Sequence, residues 1–569
     1  MADGKTLLDY EKAIKLDPTN IYNYLERASL YKEQEEQENA LSDYNKAIEL
    51  DPNFALVYSC RGLLYSQQGE LESALSDYNK AIELDPLDSD SYAWRGSLYI
   101  EQGEPENALS DLNRAIELDS TNDSAYVYRA KLYKNQEEIG KALEDYNKAI
   151  ELDPCAYYYI CRADLYTDQG DLENALSDLN KAIKLNPRIA YSYRKRASIY
   201  KEQGELESAL NDFNRSIEIN SNDAYTYSCR ANLYIEQKKI ESAIYDYSKA
   251  IELEPTDAYY YRKRASLYEY QEELDKALAD LGKAIELDPS FARAYDSRAG
   301  IYSSLGKLEQ ALEDYNKALE LDPTAEDGYY NRANVYETLG ELEKALENYN
   351  KAIELDPNFA SAYSNRGLVY LKQNQMGNAL ENYNKALELD PTLVQVYYNR
   401  GFIYFKLQET EKALDDYSKT IELEPNLFIQ AYFNRGLIYL NTGELEKALE
   451  DYNKTIELAP NYAQAYNNRA VIYKNEGELE KALEDYSKTV ELDPTFAQGW
   501  ASRGFIYVKL EQLEKALEDF NKAIELNPDY AAAYFNRGFI YKTLGELEKA
   551  KADLSKAVEL DPNFASTPD

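Results

Sequence analysis

An all-α solenoid of antiparallel helix pairs is the fold class this sequence predicts, and three observations predict it. First, an arginine recurs at Arg27, Arg61, Arg95, Arg129, Arg162, Arg196, Arg230, Arg264, Arg298, Arg332, Arg366, Arg400, Arg435, Arg469, Arg503 and Arg537. Each step is 34 residues, apart from 33 before Arg162 and 35 before Arg435. Second, large and small side chains inside the period alternate at helical spacings of three, four and seven. Third, Gly and Asp-Pro divide the period into two helices and close the second. A fixed period of this length is the mark of a repeat array.

With the arginine at repeat position 7, the first full repeat begins at Ile21 and the last ends at Phe564. In the first helix, position 4 is Tyr except for Trp500, position 8 is Gly or Ala, and position 11 is always Tyr. A frequent Gly near position 15 ends that helix. In the second helix, position 20 is always Ala, position 24 is aromatic or Leu, and position 27 is Ala, Ser or Thr. Small residues at 8, 20 and 27 allow close helix approach, and the aromatic side chains fill the gaps. The stretch GKTLLDYEKAIKLDP (4–18) aligns with GKALEDYNKAIELDP (140–154), so residues 1–20 read as a partial repeat with a second helix only. Repeats 1–9 take up 21–325, repeats 10–16 take up 326–564, and 565–569 form a tail. The two slips in period fall in DPCAYY (153–158) and EPNLFIQAY (424–432), where the pattern predicts loops.

The chain has 569 residues, 44% of them hydrophobic, with 63 basic and 103 acidic residues and a formal charge of −40. Such a surface repels phosphate backbones and anionic lipid, so neither nucleic acid nor a membrane is an expected partner. There is no histidine, which removes the commonest general base and transition-metal ligand. Four cysteines make no disulfide framework, and a reducing, cytoplasmic setting is expected. Cys60, Cys161 and Cys229 share position 6 in separated repeats, and Cys155 with Cys161 lacks a histidine, so no metal site and no cofactor is expected. No apolar run is long enough to span a bilayer, and the opening residues carry no signal-peptide pattern. No phosphate loop, nucleophile elbow or catalytic carboxylate pair stands outside the repeating positions, and no enzyme is expected.

The repeated pattern resembles the tetratricopeptide repeat (TPR) family over essentially the whole chain. It departs from the family at Ser120 and Ser221, which replace the usual Pro, and in the arginine at position 7, where Leu is common. The resemblance implies a right-handed α/α superhelix, the TPR solenoid. Positions 2, 5, 6, 9 and 12–13 of its first helices would line a concave groove. It further implies a non-catalytic scaffold that holds an extended peptide or protein segment. Two other readings stand beside it: a substrate-recruiting arm of a larger enzyme, and a solenoid that self-associates through uncapped ends.

The arginine and an aspartate at position 23, for example Arg298 and Asp314, fall at one height in such a hairpin. They are expected to pair within a repeat or across to the preceding second helix. Asn348 and Asn382 replace the aspartate twice. Position 6 behaves differently. It is Asn331, Asn365, Asn399, Asn434, Asn468 and Asn536 in the later repeats, broken only by Ser502, and never Asn in the first nine. This row resembles the peptide-gripping asparagines of the superhelix attached to O-linked N-acetylglucosamine transferase. A side-chain amide both donates and accepts, so it can pair with any extended backbone. Tyr330, Tyr398 and Phe433 at position 5, with Phe402 at position 9, are expected to expose apolar surface around it. The alternative for the asparagines is a merely solvated helix face.

A second candidate is basic: YRKRA at 193–197 and 261–265 places Arg194, Lys195, Arg262 and Lys263 at positions 5 and 6. They would receive an acidic ligand, or else balance nearby carboxylates. The family's carboxylate-clamp set is not found in register. Glu–Lys pairs four apart, such as Glu313–Lys317 and Glu450–Lys454, read as a solvated face.

Overall fold

The computed structural model describes residues 6–566. The first five residues of the partial repeat and the last three of the 565–569 tail lie outside the described residues. The chain divides into two compact units, Met1–Leu287 and Asp288–Asp569. The described residues form 33 α-helices and one 3-10 turn, Pro562–Ser566, with no strand among them. The fold class is thus all-α, a stack of α/α pairs in each unit.

The first helix of a repeat spans positions 1–13 (1–14 in Ile429–Thr442) and the second spans 17–30, as in Val394–Lys406 and Thr410–Leu423. Both slips in period are absorbed by the loops that join one repeat to the next. Between Ile139–Leu152 and Ala156–Asp168 the loop is one residue short of the usual four, and between Thr410–Leu423 and Ile429–Thr442 it is one longer. Helix packing is unforgiving of an inserted residue and a surface loop is not.

Position 15 proves stricter than its composition. All sixteen copies are left-handed, nine of them Gly and seven not: Glu35, Glu137, Lys238, Glu272, Asn374, Gln408 and Glu511, with φ between 57° and 62°. The reason is the turn, in which the N–H after this residue reaches back five residues, as from Glu409 N to Tyr404 O at 2.9 Å. At position 8 close approach sets the residue. A Cβ on Gly367 would stand 2.8 Å from the Tyr383 ring, and one on Gly96 2.7 Å from Leu112 Cγ. Opposite, Ala at position 20 and the ring at position 24 are buried, as in Ala379 and Tyr383.

The arginine of position 7 is held on two sides. Arg400 Nε and Nη2 donate to Asp416 of its own repeat at 2.8 and 2.7 Å, and Nη1 donates to Asn384 of the preceding second helix at 2.7 Å. The same threefold clamp recurs at Arg61, Arg95, Arg129 and Arg469. The expected Arg–Asp pair therefore forms within the repeat and not across to the preceding second helix. The preceding helix supplies an amide rather than the carboxylate, so one guanidinium knits two repeats. Arg332 and Arg366 differ: they meet Asn348 and Asn382 at 2.8 Å. Burial lowers the pKa of these two, whereas hydrogen bonds donated to Asp314 raise that of Arg298 against burial.

One local expectation needs correction. Lys317 and Lys454 do not pair with the glutamates four residues before them; their ammonium groups lie 3.0 Å from Glu320 and 2.7 Å from Glu457. These are exposed pairs, each worth about 0.3–0.5 kcal/mol.

Candidate protein-interaction groove

In the first unit, the exposed side of the first helices is hollowed at two joints between neighbouring repeats. A pocket of about 480 Å³ lies between repeats 6 and 7, bounded by Ser198, Lys201, Tyr225, Cys229, Asn232 and Glu236. A second, of about 290 Å³, is bounded by Lys131, Lys134, Asn135, Cys161 and Asp164. These residues occupy positions 2, 6, 9, 12 and 13 of adjacent first helices.

The asparagines of position 6 face the buried ring at position 24 of the preceding repeat. Asn434 Nδ2 donates to Tyr417 Oη and Asn468 Nδ2 to Tyr452 Oη, both at 3.3 Å. Burial pushes the Tyr452 phenol up to about 12, with Asn468 acting against the rise. Asn399 accepts from Gln395 Nε2 at 2.9 Å. It also offsets part of the rise that burial imposes on the Tyr383 phenol. Every Asn or Ser of position 6 from 331 to 502 follows a repeat whose position 24 is Tyr. Asn536 follows Phe520, and its amide turns back to Ala532 O at 2.8 Å. The asparagine thus has a structural partner that sequence reasoning missed, because Tyr44, Tyr78, Tyr146 and Tyr247 at position 24 precede Cys60, Trp94, Cys161 and Lys263 at position 6 and so gave no signal for the pairing.

The row is not uniform. Asn365 donates to Tyr330 Oη at 3.1 Å and Asn334 Oδ1 at 3.0 Å. Tyr349 Oη lies 2.6 Å from the same Asn334 oxygen and 2.9 Å from a Glu337 carboxylate oxygen, with one proton to donate between them. Lys372 closes the network on Glu337 at 2.8 Å. Asn331 meets the buried carboxyl of Asp296, whose pKa burial and Asp327 raise. Asn399 and Asn434 carry fewer bonds, whereas Asn468 Oδ1 also accepts from Asn467 Nδ2 at 3.2 Å.

Tyr330, Tyr398 and Phe433 are half-buried rather than exposed. Each ring leans on position 24 of its own repeat and on an aromatic ring just before the next. Tyr330 lies 6.0 Å from Tyr349 and 4.8 Å from Phe359; Phe433 lies 5.9 Å from Tyr452 and 5.0 Å from Tyr462. Tyr398 does the same with Tyr417 and Phe428. These rings form the floor of the face, sealing the joint between repeats. Phe402 at position 9 is also half-buried, with the Lys406 ammonium 5.3 Å from its ring centre.

The basic set of the first unit is largely engaged. Lys195 Nζ lies 2.9 Å from Asp164, and Arg194 lies 3.5 Å from Asp223 with its guanidinium between Tyr191 and Tyr225. Lys263 lies 5.5 Å from the Tyr259 ring centre, and Arg262 beside it acts against the raised Tyr247 phenol. All four cysteines are free thiols. Burial pushes Cys60 up to about 11 and raises Cys161 and Cys229, which suppresses the reactive thiolate. No His/Cys/Asp/Glu group among the described residues has the arrangement of a metal site. No described helix is long and apolar enough to cross a membrane.

Such an array of paired helices defines a helical-repeat protein. The TPR repeat profile matches residues 28–69, 96–137, 163–204, 197–238, 299–340, 338–374, 369–408 and 504–545. Tetratricopeptide repeat profiles match 55–87, 224–257, 394–427, 429–462, 463–496 and 531–564, and also 77–110, 123–154 and 258–291. The chain belongs to the tetratricopeptide repeat family, whose members are protein-interaction scaffolds and generally non-catalytic. No curated protein matches it. Among solved structures, that of YrrB, described as a TPR protein with an unusual peptide-binding site, is 30% identical, with a TM-score of 0.30. The match covers 32% of this chain and 95% of YrrB. MamA is 29% identical over 29% of this chain and 96% of its own, with a TM-score of 0.28. The APC/C hetero-tetramer Cut9-Hcn1 is 17% identical over 84% of this chain and 95% of its own, with a TM-score of 0.38.

Proposed function

We propose that the chain holds an extended segment of another protein along the first-helix face of repeats 10–16, residues 326–564, with Asn399, Asn434 and Asn468 as its backbone grips. The observation that carries this reading is the anchoring of Asn434 and Asn468 on the tyrosine hydroxyls of the preceding repeats. An amide with two N–H groups and a carbonyl oxygen keeps hydrogen-bonding capacity after one such bond. The anchor fixes its orientation in advance, which lowers the entropy lost on binding. Asn365 is tied into its own network and contributes to stability first. Repeats 1–9, at 21–325, form a different surface with mixed charge. An acidic ligand there would have to compete with Asp164 and Asp223 for Lys195 and Arg194.

Random short peptides selected on the full chain test the reading. Replacing Asn399, Asn434 and Asn468 together with Ala should weaken the selected peptides about tenfold or more, as measured by fluorescence anisotropy. The helical circular dichroism signal should be retained. Binding that survives the triple substitution unchanged sinks the proposal.

A further inference from the structure

The first-helix face of repeats 12–16 carries a charge pattern opposite to that of the molecule. At positions 2, 5, 6, 9, 12 and 13 of these five repeats there is no Asp or Glu. The charged residues at those positions are Lys406, Lys474, Lys509 and Lys542, on a chain whose formal charge is −40. Position 2 is Gln395, Gln430, Gln464 and Gln498, all exposed. Position 9 is Phe402, Leu437, Val471, Phe505 and Phe539, an apolar row beside the asparagines.

The lysines are placed differently from those on the second helices. There, Lys419, Lys454, Lys488 and Lys522 each sit 2.7–2.8 Å from a glutamate three residues on. Lys406, Lys474 and Lys509 have no carboxylate within ion-pair distance among the described residues. They lie instead over aromatic rings: Lys406 over Phe402 at 5.3 Å, and Lys474 and Lys509 over the one ring of Phe505 at 5.9 and 5.5 Å. Lys372, one repeat earlier, is paired with Glu337, so the unneutralised stretch begins after it. A contact to a ring face replaces only part of the attraction a carboxylate would offer. The charge of these three groups is left available beside an apolar row.

From this we infer that the segment held along residues 394–542 is acidic and apolar together: an extended stretch of a partner protein whose apolar side chains cover Phe402, Leu437, Phe505 and Phe539, and whose carboxylates meet Lys406, Lys474 and Lys509. The inference rests on the proposed function and adds the chemistry of the partner. The acidic remainder of the molecule would repel such a segment and so confine it to this face.

Peptides selected on the full chain should combine apolar residues with net negative charge. Lys406→Glu, Lys474→Glu and Lys509→Glu together should raise their Kd at least about tenfold, and Lys→Gln at the same sites should raise it less. Selection on the charge-reversed chain should turn to basic peptides, with its helical signal unchanged. Affinity for the acidic peptides should fall as salt rises. Enriched peptides that are neutral or basic, or a Kd that the reversals leave unmoved, overturn the inference while the asparagine test can still uphold the groove. Selection that enriches nothing overturns both. A dimer in light scattering that the lysine reversals dissolve assigns the face to a second copy of this chain and overturns the inference as well.

Discussion

Two residues side by side, Asn399 and Arg400, show how differently adjacent positions of one helix are used. Arg400 is tied to Asp416 and Asn384 and belongs to the framework. Asn399 is half-buried, accepts from Gln395 and offsets part of the rise of the Tyr383 phenol. The framework role makes two opposite predictions for one assay, hydrogen exchange read repeat by repeat. Arg400→Met strands a buried Asp416 carboxylate and should cost about 3 kcal/mol of local stability in residues 394–427. Asn348→Asp gives Arg332 the charged partner that most other repeats have and should add about 1 kcal/mol around 326–359. Equal protection in both variants and the parent would show the clamp to be idle.

At the scale of the helix pair, the turn at position 15 governs. Its backbone is left-handed in every repeat, yet Gln408 and Glu511 occupy it with side chains that disfavour that region. Gln408→Gly should therefore protect its hairpin by about 1 kcal/mol, and Gly443→Ala should weaken the next by a similar amount. Local exchange rates in 394–427 and 429–462 would report both. A destabilising Gln408→Gly would mean that the side chain, not the turn, decides. Glycine was legible in the sequence as a frequent residue; the strictness of the backbone was not, because seven other residues bear the strain without changing its geometry.

For the whole molecule, nearest-neighbour stacking predicts that whole repeats can be removed. Deleting 463–496, one full period, should leave a folded chain whose helical signal falls in proportion to the residues lost. Circular dichroism and a cooperative melt would check it. Deleting only 463–478, a first helix with its turn, should disrupt the neighbours, since the position-24 rings and position-6 amides of successive repeats would no longer meet. An intact melt after that deletion would contradict the stacking account.

The period, the two helices per repeat, their close packing at positions 8 and 20, and the loops that absorb the slips were determined by the sequence alone. Each rests on contacts within about one repeat, where spacing along the chain sets spacing in space. That Arg400 pairs with a position-23 aspartate was visible for the same reason, while its choice of Asp416 in its own repeat was not. What one repeat does to the next was decided only by tertiary structure: Asn384 closing the clamp, Tyr417 and Tyr452 anchoring Asn434 and Asn468, Asp164 occupying Lys195, Phe505 lying between Lys474 and Lys509. These contacts depend on the offset between stacked helices, which packing sets to fractions of an ångström and no residue spacing encodes.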